Sequence, residues 1–220
     1  LYASHNFWVV AGEETFGVFF DYPGIISFEV GYTHMDELVS TLEEPDADVY
    51  ILNGSGIRSI VKEFRGLIGR SYIPPRWAFG YQQSRWGYQC EADIREVAEE
   101  HRKNHLPLDS IYLDIDYMER YKDFTIDEER FPDFEGLVRD MKAQNIRLVP
   151  IIDAGVKVEE GYPVYEEGVE KGYFCKDKDG KEFIAGVWPG QVHFPDVLNR
   201  EAREWFGNQY QFLLDKGIEG

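Results

Sequence analysis

Basic residues are scarce in this sequence. Its 23 lysines and arginines face 41 aspartates and glutamates, a net charge of −18, so nucleic acid and anionic membrane surfaces are repelled rather than bound. Cysteine is nearly absent. Cys90 and Cys175 form no CxxC pair and no metal pattern, and two unpaired thiols fit a reducing compartment, cytoplasmic in preference to secreted. No apolar run approaches the roughly 20 residues of a membrane-spanning helix. The 5 histidines make no HxH or HExxH set, which leaves metal catalysis without its usual ligands. Gly54-Ser55-Gly56 is followed by no lysine, so a phosphate-cradling loop is missing too. The chain opens LYASHNF, without an initiator methionine or a signal peptide, and a preceding segment is expected.

What is present points to a packed, aromatic-rich soluble protein. Hydrophobic residues are 43 % and aromatics 15 %, including 5 Trp and 14 Tyr. Such flat rings with polar edges suit sugar stacking or an interface as well as a core. Residues 1–33 read as strands with turns at Gly12-Glu13-Glu14 and Tyr22-Pro23-Gly24, and "DVYILNG" (48–54) reads as another. In "GIRSIVKEFRGLIG" the apolar residues at 57, 60, 61, 64, 67 and 68 make a helical stripe. Pro74-Pro75 cannot continue that helix, and a domain junction is expected near 70–76.

Beyond the junction strands and helices alternate. Strands are expected over 77–84, 109–116 and 146–154, and helices over 91–104, 133–145 and 200–216, with Gly217 as the last helix's cap. "IRLVPIIDA" is almost wholly apolar, as a parallel strand covered on both faces should be. A Gly- and aromatic-rich stretch, 155–198, reads as an inserted loop region. Three βα repeats imply a parallel sheet, either part of a barrel or half of an open sheet. "DKGIEG" ends where a fourth strand should begin, so the chain is expected to be a fragment.

In either architecture function collects at the carboxyl ends of the strands. Gln83-Ser84-Arg85-Trp86, the pair Asp114 and Asp116, and Asp153 fall there. On a strand Asp114 and Asp116 share a face and repel, and substrate hydroxyls, an arginine or a metal would relieve them. Loop ordering explains an isolated DxD about as well. "DKDGKEF" (177–183) opens like a calcium loop but has no acid at its twelfth position, and a turn at Asp179-Gly180 explains it better. Trp86, Trp188 and Phe194 lie in loops that would rim one mouth, as aromatic walls or as loop packing.

Four segments in order, "YIPPRWAFGYQQSRWGY" (72–88), "YLDIDYM" (112–118), "LVPIIDAGV" (148–156) and "VWPGQVHFPDVLN" (187–199), closely resemble the catalytic-domain motifs of glycoside hydrolase family 31 α-glucosidases. The resemblance implies an α/β fold comprising the first three βα units of a (β/α)8 TIM barrel over 71–220, with an inserted loop subdomain at 155–198. Residues 1–70 would be the C-terminal part of an N-terminal β-sandwich. It further implies that Asp114 hydrogen-bonds the glucosyl ring, that Ile115 packs beside it, that Ile151 and Trp188 line the pocket, and that Trp86 borders the leaving-group site. Relatives often carry Tyr at that last position, so Trp86 would bias linkage preference. DIDYM favours glucosidases over xylosidases. The implied activity is retaining, exo-acting hydrolysis of terminal α-linked glucose from oligosaccharides, with no cofactor and no metal. The nucleophile would follow Gly220 in a Trp-x-Asp-Met motif, leaving the isolated chain inactive. Homo-oligomers of the full-length protein remain compatible. The alternatives are a non-catalytic carbohydrate-binding protein or a degenerate barrel.

Overall fold

A computed structural model describes residues 5–220, and the chain parts between Ile73 and Pro74 into two units. In the first, β1 (Phe7–Val10), β2 (Phe16–Asp21) and β5 (Asp48–Asn53) form an antiparallel sheet in the order β1-β2-β5. A separate hairpin joins β3 (Ile26–Val30) to β4 (Leu38–Leu42). β4 carries little signal of its own, because "LVSTL" has weak periodicity and depends on its ladder with β3, Ile26 opposite Leu42. Helix α1 (Ile57–Ile68) buries Ile60 and Phe64. The Phe64 ring stacks on Phe7 with centroids 3.9 Å apart. Gly17 of β2 allows this close approach, since a Cβ there would stand 2.6 Å from Ile60 Cγ2.

The second unit is built on a parallel sheet, β6 (Gln82–Gln83), β7 (Ser110–Leu113) and β8 (Arg147–Pro150), with β7 in the middle. Helices α2 (Glu91–Lys103) and α3 (Phe134–Ala143) connect them. Ile94 and Ala98 of α2, Ile111 and Leu113 of β7 and Leu137 and Met141 of α3 are buried in one cluster. Burying each large aliphatic side chain contributes about 1.5–3 kcal/mol.

The strand expected over 77–84 is a 3-10 turn, Arg76–Phe79, followed by the two residues of β6. Pro75 enters that turn at φ −64°, and the Asp109 carboxylate then accepts the Tyr81 N–H at 3.0 Å, which leaves only Gln82 and Gln83 to pair with β7. The strand expected over 109–116 stops at Leu113, because Asp114 turns the chain into a second 3-10 turn, Ile115–Tyr117. The helix expected over 200–216 is α5 (Arg200–Gln209) and α6 (Gln211–Asp215). At Tyr210 its ladder tightens to i→i+3 bonds, Tyr210 N–H to Gly207 O and Leu213 N–H to Tyr210 O. Gly217 follows with φ 86°, and the Ile218 N–H returns to Leu213 O, as the expected cap requires.

The stretch 155–198 is not a simple loop. It holds β9 (Val156–Lys157), α4 (Pro163–Lys171), β10 (Ile184–Val187) and β11 (Gly190–His193), with the strands antiparallel in the order β10-β11-β9. Pro163 in the first turn of α4 was the local signal for that helix. A second core cluster, which includes Phe124, Tyr162, Phe174 and Trp205, joins this region to α5. At the tip of "DKDG", the Asp177 carboxylate accepts the N–H groups of Asp179 and Lys181, and Gly180 takes φ 79° with its N–H on the Asp177 carbonyl, a turn held by its own residues. Among the described residues no helix is long and apolar enough to cross a membrane.

Candidate functional site

The carboxyl ends of β6, β7 and β8 lie along one edge of the parallel sheet. Asp114 sits one residue past β7 and caps the turn that follows, its Oδ1 accepting the Ile115 N–H at 2.8 Å. That bond fixes the carboxylate while its other oxygen remains available. Ile115 is buried beside it, 8 % exposed. The Ile151 N–H continues the ladder past β8 by donating to Leu113 O at 2.9 Å, while Ile151 itself is 37 % exposed at the sheet edge. The Ile151 carbonyl accepts from the Tyr117 hydroxyl at 2.9 Å. Asp114, Ile115 and Ile151 are thus brought together by two neighbouring strands and one 3-10 turn.

Asp153, two residues further, faces the same cluster. Its carboxyl is held above the usual carboxylate range, first by burial and then by the charge of Asp114. Asp116 does not join them. It is buried, 3 % exposed, with Arg130 Nη1 3.4 Å from its Oδ1. The face-sharing expected for Asp114 and Asp116 is therefore overturned, because the strand ends at Leu113 and Asp116 lies within the 3-10 turn that Asp114 caps.

The aromatic residues stand differently. Trp86 is 68 % exposed in the turn after β6, where Gly87 takes φ 109° and the Arg85 guanidinium donates to the Trp86 carbonyl. Trp188, 69 % exposed, tips the β10–β11 hairpin and lines a cavity of about 320 Å³ with Arg120, Arg130 and Lys157. That hairpin rests on the β8 end: a Cβ on Gly155 would stand 2.9 Å from Val187 Cγ2, so glycine is needed two residues after Asp153. Phe194 packs on Phe183, centroids 6.2 Å apart, as loop packing. His193 stacks on Phe174 and bonds the Phe183 carbonyl through Nδ1 at 3.0 Å, a structural role.

Sequence reasoning passed over Asp123. It is 1 % exposed, and burial, with the nearby charge of Asp153, pushes its carboxyl up to about 8. The available signal was an acid flanked by Lys122 and Phe124 in "YKDFT", within a loop that returns to the strand ends. Among the described residues no group of three or more His, Cys, Asp or Glu is arranged to hold a metal ion.

Comparison with known proteins decides the family. The model for the glycosyl hydrolases family 31 TIM-barrel domain matches residues 71–220. The chain belongs to glycoside hydrolase family 31. Alpha-glucosidase 2 of Bacillus thermoamyloliquefaciens is 41 % identical over 221 residues, which is 100 % of this chain and 28 % of that protein. The alpha-glucosidase of Saccharolobus solfataricus is 31 % identical over 204 residues, 93 % of this chain and 29 % of that protein. Among solved family 31 structures, the alpha-glucosidase from Bacteroides thetaiotaomicron superposes with a TM-score of 0.83 at 31 % identity, covering 94 % of this chain and 35 % of that one. The chain thus spans under a third of the length of these two curated relatives. Residues 71–220 belong to the family 31 TIM-barrel domain.

Proposed function

We propose that the protein carrying this chain is a retaining, exo-acting α-glucosidase that releases terminal α-linked glucose from oligosaccharides. The observation that carries the reading is the meeting of Asp114 with Ile115 and Ile151 at the carboxyl ends of adjacent parallel strands, where barrel enzymes bind substrate. Family membership and the names of the relatives support it. Asp114, oriented by the Ile115 N–H, accepts hydrogen bonds from ring hydroxyls. Ile115 and Ile151 supply apolar contact to the ring, Trp188 closes one side, and Trp86 borders the leaving group.

Retaining glycosidases use two carboxyl groups about 5–5.5 Å apart, one attacking the anomeric carbon and the other acting first as acid and then as base. Neither is assigned to Asp114, Asp116 or Asp153. Asp114 binds the ring, Asp116 is engaged by Arg130, and Asp153 is partly buried under the influence of the Asp114 charge. The nucleophile is instead expected beyond Gly220 in a Trp-x-Asp-Met motif. Residues 71–220 then supply the first three βα units of the barrel, with 155–198 as an inserted subdomain and 1–70 as the end of a β-sandwich. The parallel βα core favours this over a carbohydrate-binding β-sandwich. Two free thiols suit a reducing compartment.

Hydrolysis of an aryl α-glucoside by the full-length protein tests the reading. Asp114→Asn should lower kcat/KM by about one to two orders of magnitude, since a hydrogen bond to a charged group contributes about 1.5–3 kcal/mol. An unchanged kcat/KM would remove Asp114 from the site, and no turnover by the unaltered protein would remove the activity. Trp86→Tyr should shift the ratio of maltose to isomaltose cleavage; a constant ratio denies Trp86 its role.

A further inference from the structure

Three cations converge on one carboxylate beside the site. Glu159, two residues past β9, has the Lys157 ammonium 3.0 Å from Oε2. Its Oε1 accepts from Lys122 at 3.5 Å and from the Arg120 guanidinium. These cations come from two segments. Lys157 lies on β9 opposite Val192 of β11, and the Val158 N–H donates to Gln191 O at 2.9 Å. β11 is one arm of the hairpin that Trp188 tips. Arg120 and Lys122 belong to the loop after β7, where Arg120 and Tyr121 take φ of 50° and 62°. Non-glycine residues hold such left-handed values only where the surroundings impose them. Lys157 also donates to the Arg120 carbonyl at 3.3 Å, at the strained residue itself. Arg120, Lys157 and Trp188 all line the cavity of about 320 Å³, so Glu159 ties two of its sides together. Glu119 makes no such tie: it reaches Lys122 at 3.1 Å and Arg120 at 3.6 Å but lies on their own loop. Arg130, across the cavity, is engaged by Asp116 and Asp127 at 3.4 and 3.5 Å.

We propose that Glu159 is a positioning residue: by holding Arg120 and Lys157 on one carboxylate it fixes the gap between the loop after β7 and the β10–β11 hairpin, and so sets where Trp188 stands against the sugar. The inference deepens the glucosidase reading and rests on it. The bonds are charge-assisted and therefore stronger than neutral ones. Lys157 foremost, with the charges of Lys122 and Arg120, also holds the Glu159 carboxyl below its ordinary range. Lys122 is 7 % exposed, its ammonium 5.6 Å from the centroid of the Tyr162 ring. Without Glu159 that buried cation keeps Glu119 as its one carboxylate, a costly state. Arg120 and Lys157 would then face each other as like charges with nothing between them. The loop relaxes from its left-handed turn, the gap widens, and the hairpin tip shifts with β9 and β11.

Glu159→Gln keeps the volume and an acceptor oxygen and removes the charge. In the full-length protein acting on an aryl α-glucoside, it should raise KM about tenfold with kcat held within about twofold, as displacement of a binding wall requires. In a Trp188→Ala background the same change should raise KM by no more than about twofold, because the wall it positions is gone. A merely structural role would raise KM by the same factor in both backgrounds. That result, or an unmoved KM in Glu159→Gln, overturns the proposal. Should Glu159→Gln fail to fold, Arg120→Gln decides in the same cycle, since the Arg120 side chain is 62 % exposed and the core does not depend on it. Absence of turnover by the unaltered protein overturns the glucosidase reading and the positioning role together. Turnover with an unmoved KM overturns the positioning role alone.

Discussion

Arg130 Nη1 stands 3.4 Å from Asp116 Oδ1, and this pairing separates the two aspartates of the DxD. One serves the site and the other the fold. Arg130 is half-exposed, so water screens the pair and the ion pair alone is worth little. Asp116 is buried, however, and losing its cation leaves a poorly solvated charge. Arg130→Ala and Asp116→Asn should each lower the unfolding free energy by about 1 kcal/mol, with the double variant no worse than the weaker single one. Urea unfolding checks this. A stability loss in Asp114→Asn as large as in Asp116→Asn would contradict the division of roles.

Gly155 supports the hairpin that carries Trp188. Its backbone is unremarkable for an L-residue, so the constraint is steric: an added Cβ would press on Val187 Cγ2 at 2.9 Å and Val192 Cγ2 at 3.3 Å. Gly155→Ala is expected to cost about 1–3 kcal/mol by overpacking. It should also raise KM for α-glucosides, because the hairpin must lift. Val187→Ala added to Gly155→Ala should recover most of both losses. A double-variant cycle with no coupling would show that the hairpin does not rest there.

Tyr117 is wholly buried, and its hydroxyl holds the Ile151 carbonyl at 2.9 Å. Tyr117→Phe leaves that carbonyl without its donor and should lower stability by about 1–2 kcal/mol. KM should rise a few-fold while kcat changes less. Burial raises the phenol further above its ordinary value, so it stays protonated at working pH and the pH profile should keep its shape. A displaced alkaline limb in Tyr117→Phe would show that the phenol titrates in the working range.

Local chemistry was legible in the sequence wherever it is short-ranged. The helical stripes of α1, α2 and α3, the glycine past α6 and the turn at Asp179-Gly180 follow from residue spacing and backbone preference. So did the parallel βα organisation and the placing of Asp114 at a strand end, whereas Ile115 and Ile151 came only with the family resemblance. Where β7 stops was not legible, because apolar alternation runs on through Ile115 while the Asp114 carboxylate diverts the backbone. The same limit hid β4, which exists through its partner strand, and reduced 77–84 to two paired residues. The sequence by itself determined the main helices, the parallel βα order and the family motifs, since these reside in neighbouring residues. Only the tertiary structure decided that Asp116 goes to Arg130 and that Val187 rests on Gly155. Those relations join residues 14 to 32 positions apart in the chain, and burial, which sets the cost of each charge, exists only once the chain has closed around them.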